Sequence, residues 1–560
     1  MLPDSLLRMD LVLGLEFELT IIALFLALFF PTKLIPLWEK IFRWVDGIAS
    51  KRLLSIVLVG ILAFCGSMAV SLLVRFPEPS IHDEFSFLLA ADTFASGRLA
   101  NPVHPLWKHF ESIHIIQQPT YASKYPPGQG LALALGQVIA GHPAVGLWIS
   151  IAMMCASICW MLQGWVPRRW ALLGGLLAAL NLGFFGYWSQ KYWGGAVVAT
   201  GGALVFGALR RLLKRPAIQF SVVMGVGLII LANSRPFEGL LASLPLALVL
   251  LIYLLSSKAP SPRTCVRQVI LPLCGVLCLG AIWMGYYNYR VTGDLLRFPY
   301  KVYEKSYSLG PLFLLEKYKP ESESQPQITQ DLEKIFLEKY NKMHTLKGYI
   351  SEKSSGLFVI LTFFGRWILL LPLVMLPNVW RKRWNGYALV TICLVTVCVF
   401  LEIQSYPRKL APVTCLIMLI IIQSLRHLSI CRWRGRPTGQ CLAGAVLIIT
   451  AFSTLSSFHP FFHAPPWPPS RERARLLNQL NKDYDQHLIV VRYAQKRFPH
   501  FDWVYNRANI DGAKVIWARE LDGEQNRRML EYYENRKIWL LETDSWPIRQ
   551  IELVPYQSLK

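Results

Sequence analysis

Apolar residues come along this chain in blocks of roughly twenty, the length a helix needs to cross a hydrocarbon core about 30 Å thick. Polar joints, most of them short, separate them as far as residue 457. The blocks predict membrane helices near 12–30, 54–75, 143–164, 171–187, 194–209, 218–232, 238–255, 269–288, 355–376, 386–403, 410–425 and 441–457. Glu16 and Glu18 sit in the opening turns of the first block. If that block crosses, there are twelve spans; if it lies at the surface, eleven. The stretch 128–141, rich in Ala, Leu and Gly, reads as a dipping helix that leads into the next span.

The rhythm changes after residue 465. Short apolar runs at His487–Val491, Lys514–Arg519 and Ile538–Leu541 around a helix at 523–535 predict strands and a small α/β domain. The proline-rich stretch Ala464–Pro469 precedes it as a tether. The expected fold class is therefore an all-α polytopic membrane protein of about 11–12 transmembrane helices with a small extracytoplasmic α/β C-terminal domain. Its division is a membrane domain over 1–465, with outer loops 76–127 and 289–354, and a C-terminal domain over 466–560.

Composition agrees with the pattern. The 560 residues are 53% hydrophobic and 17% charged, with a mean hydropathy of +0.36, too apolar for a soluble enzyme or a disordered chain. A net charge of +23 would suggest nucleic acid in a soluble protein. Here its location explains it. Six alternate joints, 31–53, 165–170, 210–216, 256–268, 377–385 and 426–440, are basic and hold only Glu39 and Asp46 as acids. Lysine and arginine beside short loops are retained in the cytoplasm, so most of the excess is a topology signal, and no nucleic-acid partner is needed. The loops 76–127 and 289–354 and the tail then face the extracytoplasmic side of a plasma (inner) membrane. All eleven cysteines lie in spans or basic joints. The pairs Cys155/Cys159 and Cys274/Cys278 each share a helix face with no second pair at zinc spacing, which favours packing over metal.

The first outer loop carries the strongest chemical pattern, Ile81-His82-Asp83-Glu84-Phe85 and onward to Phe94. An acidic pair opens a helix whose Phe87, Ala90, Ala91 and Phe94 form an apolar stripe, and Gly97 stops it. Such a helix should lie in the membrane interface with Asp83 and Glu84 at its N-terminus. The pair can serve either as N-terminal caps or as chemistry. His82, His104, His109 and His114 share the loop, but their spacing does not put them on one helix face, which argues against a metal site.

The loop ends at Ser123-Lys124-Tyr125-Pro126-Pro127. The prolines fix a rigid turn into the next helix, so Lys124 can neutralise a phosphate at the membrane surface or simply anchor the turn there. Other outer turns also carry cations against the topological bias: Lys191, Arg235 in Asn233-Ser234-Arg235-Pro236-Phe237-Glu238, Arg297 with Lys301, and Arg408 with Lys409. An anionic ligand with a lipid tail would account for them.

With the acidic pair after an early span, the Lys124-Tyr125-Pro126-Pro127 turn and the many spans before an outer tail, the chain resembles the GT-C glycosyltransferases over roughly 50–425. Among them it is most similar to bacterial relatives of protein O-mannosyltransferases and of the lipid A aminoarabinose transferase. Tyr125 separates the lysine from the prolines, where the aminoarabinose transferases have Lys-Pro-Pro directly. The resemblance implies inverting transfer of a sugar from a polyprenyl-phosphate carrier to a glycan, lipid or protein acceptor on the outer face. It assigns Asp83 as base and Glu84 as the group orienting the acceptor or a cation. Lys124, Tyr125, Lys191, Arg235, Glu238, Arg297 and Arg408 become substrate-binding candidates. Mg or Mn is the divalent cofactor that such a site could use. The alternatives are a flippase or transporter, or an O-antigen-type polymerase, acting on lipid-linked saccharides; a transporter would line a path through the bundle with its polar groups instead of gathering them beside Asp83.

Overall fold

In a computed structural model, residues 14, 17–25, 27–29, 31–184, 186–257, 259–307, 310–318, 327–456, 468–493, 502–543 and 552–556 are described. Among them, seven helices are long and apolar enough to cross a membrane: Arg52–Leu73, Pro143–Trp165, Pro236–Leu255, Pro262–Thr292, Arg383–Leu401, Pro407–Ser429 and Thr438–Ser456. Leu346–Gly365 and Ile368–Trp380, bent by 87° at their junction, make an eighth span if taken together. The count falls below the number of apolar blocks because the middle blocks fold into shorter helices. Ala196–Leu212 has 17 residues and Ile218–Ala232 has 15, while the block at 171–187 forms Arg168–Ala178 and then loosens into a π-helical turn over Ala179–Phe184. At a rise of about 1.5 Å per residue such helices reach only about 23–25 Å. One of them is nonetheless interior: Ala196–Leu212 is buried along most of its length. Its small residues admit close neighbours, and a Cβ on Gly202 would collide with the Pro412 carbonyl.

The two ends of the bundle differ. At one end Arg168 donates to Ser50 O (3.3 Å), Gln163 to Arg52 O (3.0 Å) and Arg211 to Trp160 O (2.7 Å), and Arg169 holds Asp46, so three basic joints meet. At the other end stand the helix His82–Ala95, the turn into Pro127–Ala140 and the short helix Pro299–Ser306. Helix His82–Ala95 closes as its sequence predicts. Gly97, at φ 71°, donates to Phe94 O (3.0 Å), and Arg98 donates to Thr93 O (3.1 Å), the paired bonds of a left-handed helix stop.

More of this helix is buried than its single apolar stripe predicts. Phe87 and Ala91 pack with Leu133, Leu147, Trp148 and Tyr192, as the stripe requires. On another side Phe85 and Leu89 enter a second core together with Leu488, Ile489, Tyr505, Ile516 and Trp517 of the tail. The tail thus buries a second apolar face. Its sheet has the order β4-β3-β5-β6, with β3 (His487–Tyr493) parallel to both β4 (Val515–Arg519) and β5 (Lys537–Thr543), and β6 (Val554–Pro555) antiparallel to β5. The helix Gly523–Tyr532 is capped by Asp522. Of the proline-rich tether, all but Pro468 and Pro469 lies outside the described residues.

Candidate active site

A cavity of about 1190 Å³ opens where these elements meet. Its wall takes Asp83 from the start of one helix, Lys124 and Tyr125 from the proline turn, and Lys191 from the 187–195 turn. Arg235 and Glu238 come from the start of Pro236–Leu255, Tyr300 and Tyr303 from Pro299–Ser306, and Arg408 from the segment Pro407–Val413. Of the nine residues singled out from the sequence, seven line this cavity; Glu84 and Arg297 do not.

The neighbours Asp83 and Glu84 part company. Glu84 is fully buried, and its carboxylate accepts from Ser80 N (2.8 Å), Ser80 Oγ (2.9 Å) and Tyr192 N (2.9 Å), with Lys191 Nζ at 3.7 Å. It ties two loops together behind the site. Glu84 was expected to orient an acceptor or a cation, but its oxygens are occupied by backbone and side-chain donors and it does not line the cavity. Asp83 faces the cavity, where Oδ1 accepts from Tyr125 Oη (2.5 Å) and lies 3.9 Å from Arg408 Nη2. Burial alone would raise its pKa, but the Arg408 guanidinium and the Tyr125 hydrogen bond outweigh it and hold the carboxyl below the usual carboxylate range. It is an anion at neutral pH. The Arg408 guanidinium in turn lies over Trp193, 4.3 Å from the ring centroid.

Lys124 is 5% exposed, and its ammonium lies over three tyrosine rings: Tyr303 at 4.4 Å, Tyr300 at 4.9 Å and Tyr125 at 5.3 Å. Among the described residues it has no hydrogen-bond acceptor. Burial pulls its pKa down to about 7, against the opposing pull of Asp83. A small antiparallel ribbon places it: β1 (Ile115–Ile116) pairs with β2 (Ala122–Ser123), and Lys124 N donates to His114 O (3.2 Å) at the open end. Tyr300 and Tyr303 carry no motif and were missed from the sequence; the one signal was the density of tyrosine around 286–307.

The remaining cations are matched. Arg235 Nη1 lies 2.9 Å from Glu238 Oε1, and Lys409 pairs with Glu402. Behind them Lys353 donates to Glu402 O (2.5 Å) and Ser405 Oγ (2.9 Å). Arg297 pairs with Asp294 at 3.6 Å on the exposed surface, so it does not join the substrate-binding set expected of it. Among the described residues, no three His, Cys, Asp or Glu side chains are grouped to hold a metal ion. Asp83 is surrounded by Arg408, Lys124 and Tyr125, a donor set that does not fit Mg or Mn.

No family model matches the sequence, and no curated protein matches it. Solved structures do. ArnT from Cupriavidus metallidurans bound to undecaprenyl phosphate has a TM-score of 0.50 at 12% identity, over 87% of this chain and 92% of that one. The chain has the GT-C fold. An oligosaccharyltransferase from Archaeoglobus fulgidus is also similar, with a TM-score of 0.46 at 11% identity over 87% of this chain and 69% of that one. In this chain seven of the nine candidate residues gather in one cavity at one end of a bundle of apolar helices.

Proposed function

We propose that the protein transfers a sugar from a polyprenyl-phosphate carrier to an acceptor hydroxyl, with inversion, on the extracytoplasmic face of the plasma (inner) membrane. The observation that carries this reading is Asp83, bonded by Tyr125 and faced by Arg408, in one tyrosine-lined cavity with a Lys124 that has no acceptor among the described residues. A protein of the same fold holds undecaprenyl phosphate, and the basic residues of the six joints support a cytoplasmic position for the opposite end of the bundle. The outer loops and the tail over 466–560 then lie on the extracytoplasmic side.

In this scheme the acceptor oxygen attacks the anomeric carbon from the side opposite the phosphate. The new C–O bond forms as the bond to the phosphate oxygen breaks, and the phosphate leaves with the electron pair. As the acceptor hydroxyl becomes acidic during bond formation, Asp83 takes its proton. The low basicity of this carboxylate suits late proton transfer and easy release afterwards. Lys124 meets the charge of the departing phosphate, and Arg408 keeps Asp83 ionised. One displacement needs only one base, so Glu84 is free for its structural role.

Transport is the less favoured reading, since the charged groups converge on the cavity beside Asp83. The deciding assay incubates purified protein with radiolabelled polyprenyl-phosphate sugars and membrane extract as acceptor source. Label should move to an acceptor with the wild type and stay on the carrier with Asp83→Asn. Equal transfer by the two proteins overturns the assignment.

A further inference from the structure

His114 stands out by its backbone and by its ring. Its φ is 67°, in the left-handed region that side chains with a Cβ adopt rarely, and histidine less rarely than most. Three hydrogen bonds hold it there. His114 N bonds to Tyr303 Oη (3.0 Å), and its carbonyl accepts from Ser86 Oγ (2.6 Å) and Lys124 N (3.2 Å). Ser86 lies one helical turn beyond Asp83, so the helix that presents the carboxylate also fixes this residue. A conformation held this firmly at a site calls for a use.

The ring lies among the groups that handle the two charges of the proposed reaction. Its centroid is 5.6 Å from that of Tyr125, whose hydroxyl bonds Asp83, and 5.9 Å from that of Tyr303, which caps Lys124. Nδ1 is buried without a partner among the described residues. Nε2 also lacks a protein partner among the described residues but is not buried, and His114 lines the cavity, so this nitrogen opens on it. The imidazole is neutral, because burial and the nearby Lys124 pull its pKa well down.

We propose that His114 is a specificity residue whose Nε2 hydrogen-bonds a hydroxyl of the sugar being transferred. This rests on the function proposed above, in which the sugar must lie between a phosphate at Lys124 and an acceptor at Asp83. The ribbon end and the two tyrosines place the imidazole along that interval. A neutral imidazole can donate or accept through this nitrogen according to its tautomer, which suits a hydroxyl.

The test compares binding of bare undecaprenyl phosphate with that of undecaprenyl phosphate carrying mannose, glucose, galactose or 4-amino-4-deoxyarabinose, on the full chain in nanodiscs. His114→Gly keeps the left-handed backbone and removes the ring; His114→Asn also tolerates that backbone and keeps a shorter polar group. Both variants should bind bare undecaprenyl phosphate as the wild type does, which also reports that they are folded. Each should lose about three- to tenfold of the preference for the favoured loaded carrier, Gly more than Asn. An undiminished preference in both variants overturns the role of His114 alone. If the wild type binds no loaded carrier more tightly than the bare lipid, both this inference and the function beneath it fall.

Discussion

The cavity has two charged walls, and they are built differently. On one, Arg235 faces Glu238 and Lys409 faces Glu402, with Lys353 bonded behind them, so each cation that lines the wall has an acidic partner. On the other, Asp83 answers Arg408 while Lys124 lies over tyrosine rings with no acceptor among the described residues. A matched buried pair contributes little net energy, and its charges are largely spent on each other. A buried lysine without a carboxylate partner is costly to keep charged, and an incoming anion relieves that cost. In the proposed function the contrast marks Lys124 as the group that meets the phosphate, and the matched wall supplies shape.

The largest effect expected is at Asp83. Asp83→Asn should lower transfer at least about a hundredfold, the usual scale for losing a positioned base, with donor binding nearly intact; steady-state transfer rates check it. The next is a pH effect. Lys124 is protonated below its depressed pKa and neutral above it, so affinity for undecaprenyl phosphate should fall as pH rises past about 7. The fall should approach tenfold per pH unit at its steepest and disappear in Lys124→Ala, which titration calorimetry at several pH values would show. For the unliganded protein the sign is opposite, since the unfolded chain binds the proton more tightly and this lysine makes stability rise from about pH 7 toward its ordinary value of 10.5.

Glu84→Gln should cost about 1–3 kcal/mol of stability by leaving buried donors poorly met, while the folded fraction turns over normally. Thermal melting together with activity per folded molecule separates this from a catalytic loss. The smallest effect concerns the tail. Tyr505 stacks on Phe85 with centroids 4.1 Å apart and bonds His82 Nδ1 at 2.6 Å. Tyr505→Phe keeps the stack and loses one hydrogen bond, so turnover should change by no more than about threefold and stability by about 1 kcal/mol.

Much of this was legible in the sequence. The apolar blocks, the three main strands of the tail and the Gly97 stop follow from periodicity and local chemistry. What was not legible depends on contacts distant in sequence. Consecutive residues point about 100° apart around a helix, so one of Asp83 and Glu84 had to face away, and only Ser80 and the Tyr192 turn decide which. Arg408 finds Asp83 across more than three hundred residues. The second buried face of that helix did leave a trace, since Phe85 and Leu89 widen the apolar stripe until the helix is apolar on most sides. The left-handed His114 left none.

The central claim is that the unmatched wall meets the lipid phosphate. Its most direct test is undecaprenyl phosphate binding measured side by side for the wild type, Lys124→Ala and the double variant Arg235→Met/Glu238→Leu in nanodiscs at pH 6.5. The account predicts a loss of about ten- to hundredfold for Lys124→Ala, the scale of a charge-assisted hydrogen bond, and affinity within about threefold of wild type for the double variant. Wild-type affinity in Lys124→Ala together with a large loss in the double variant would contradict it.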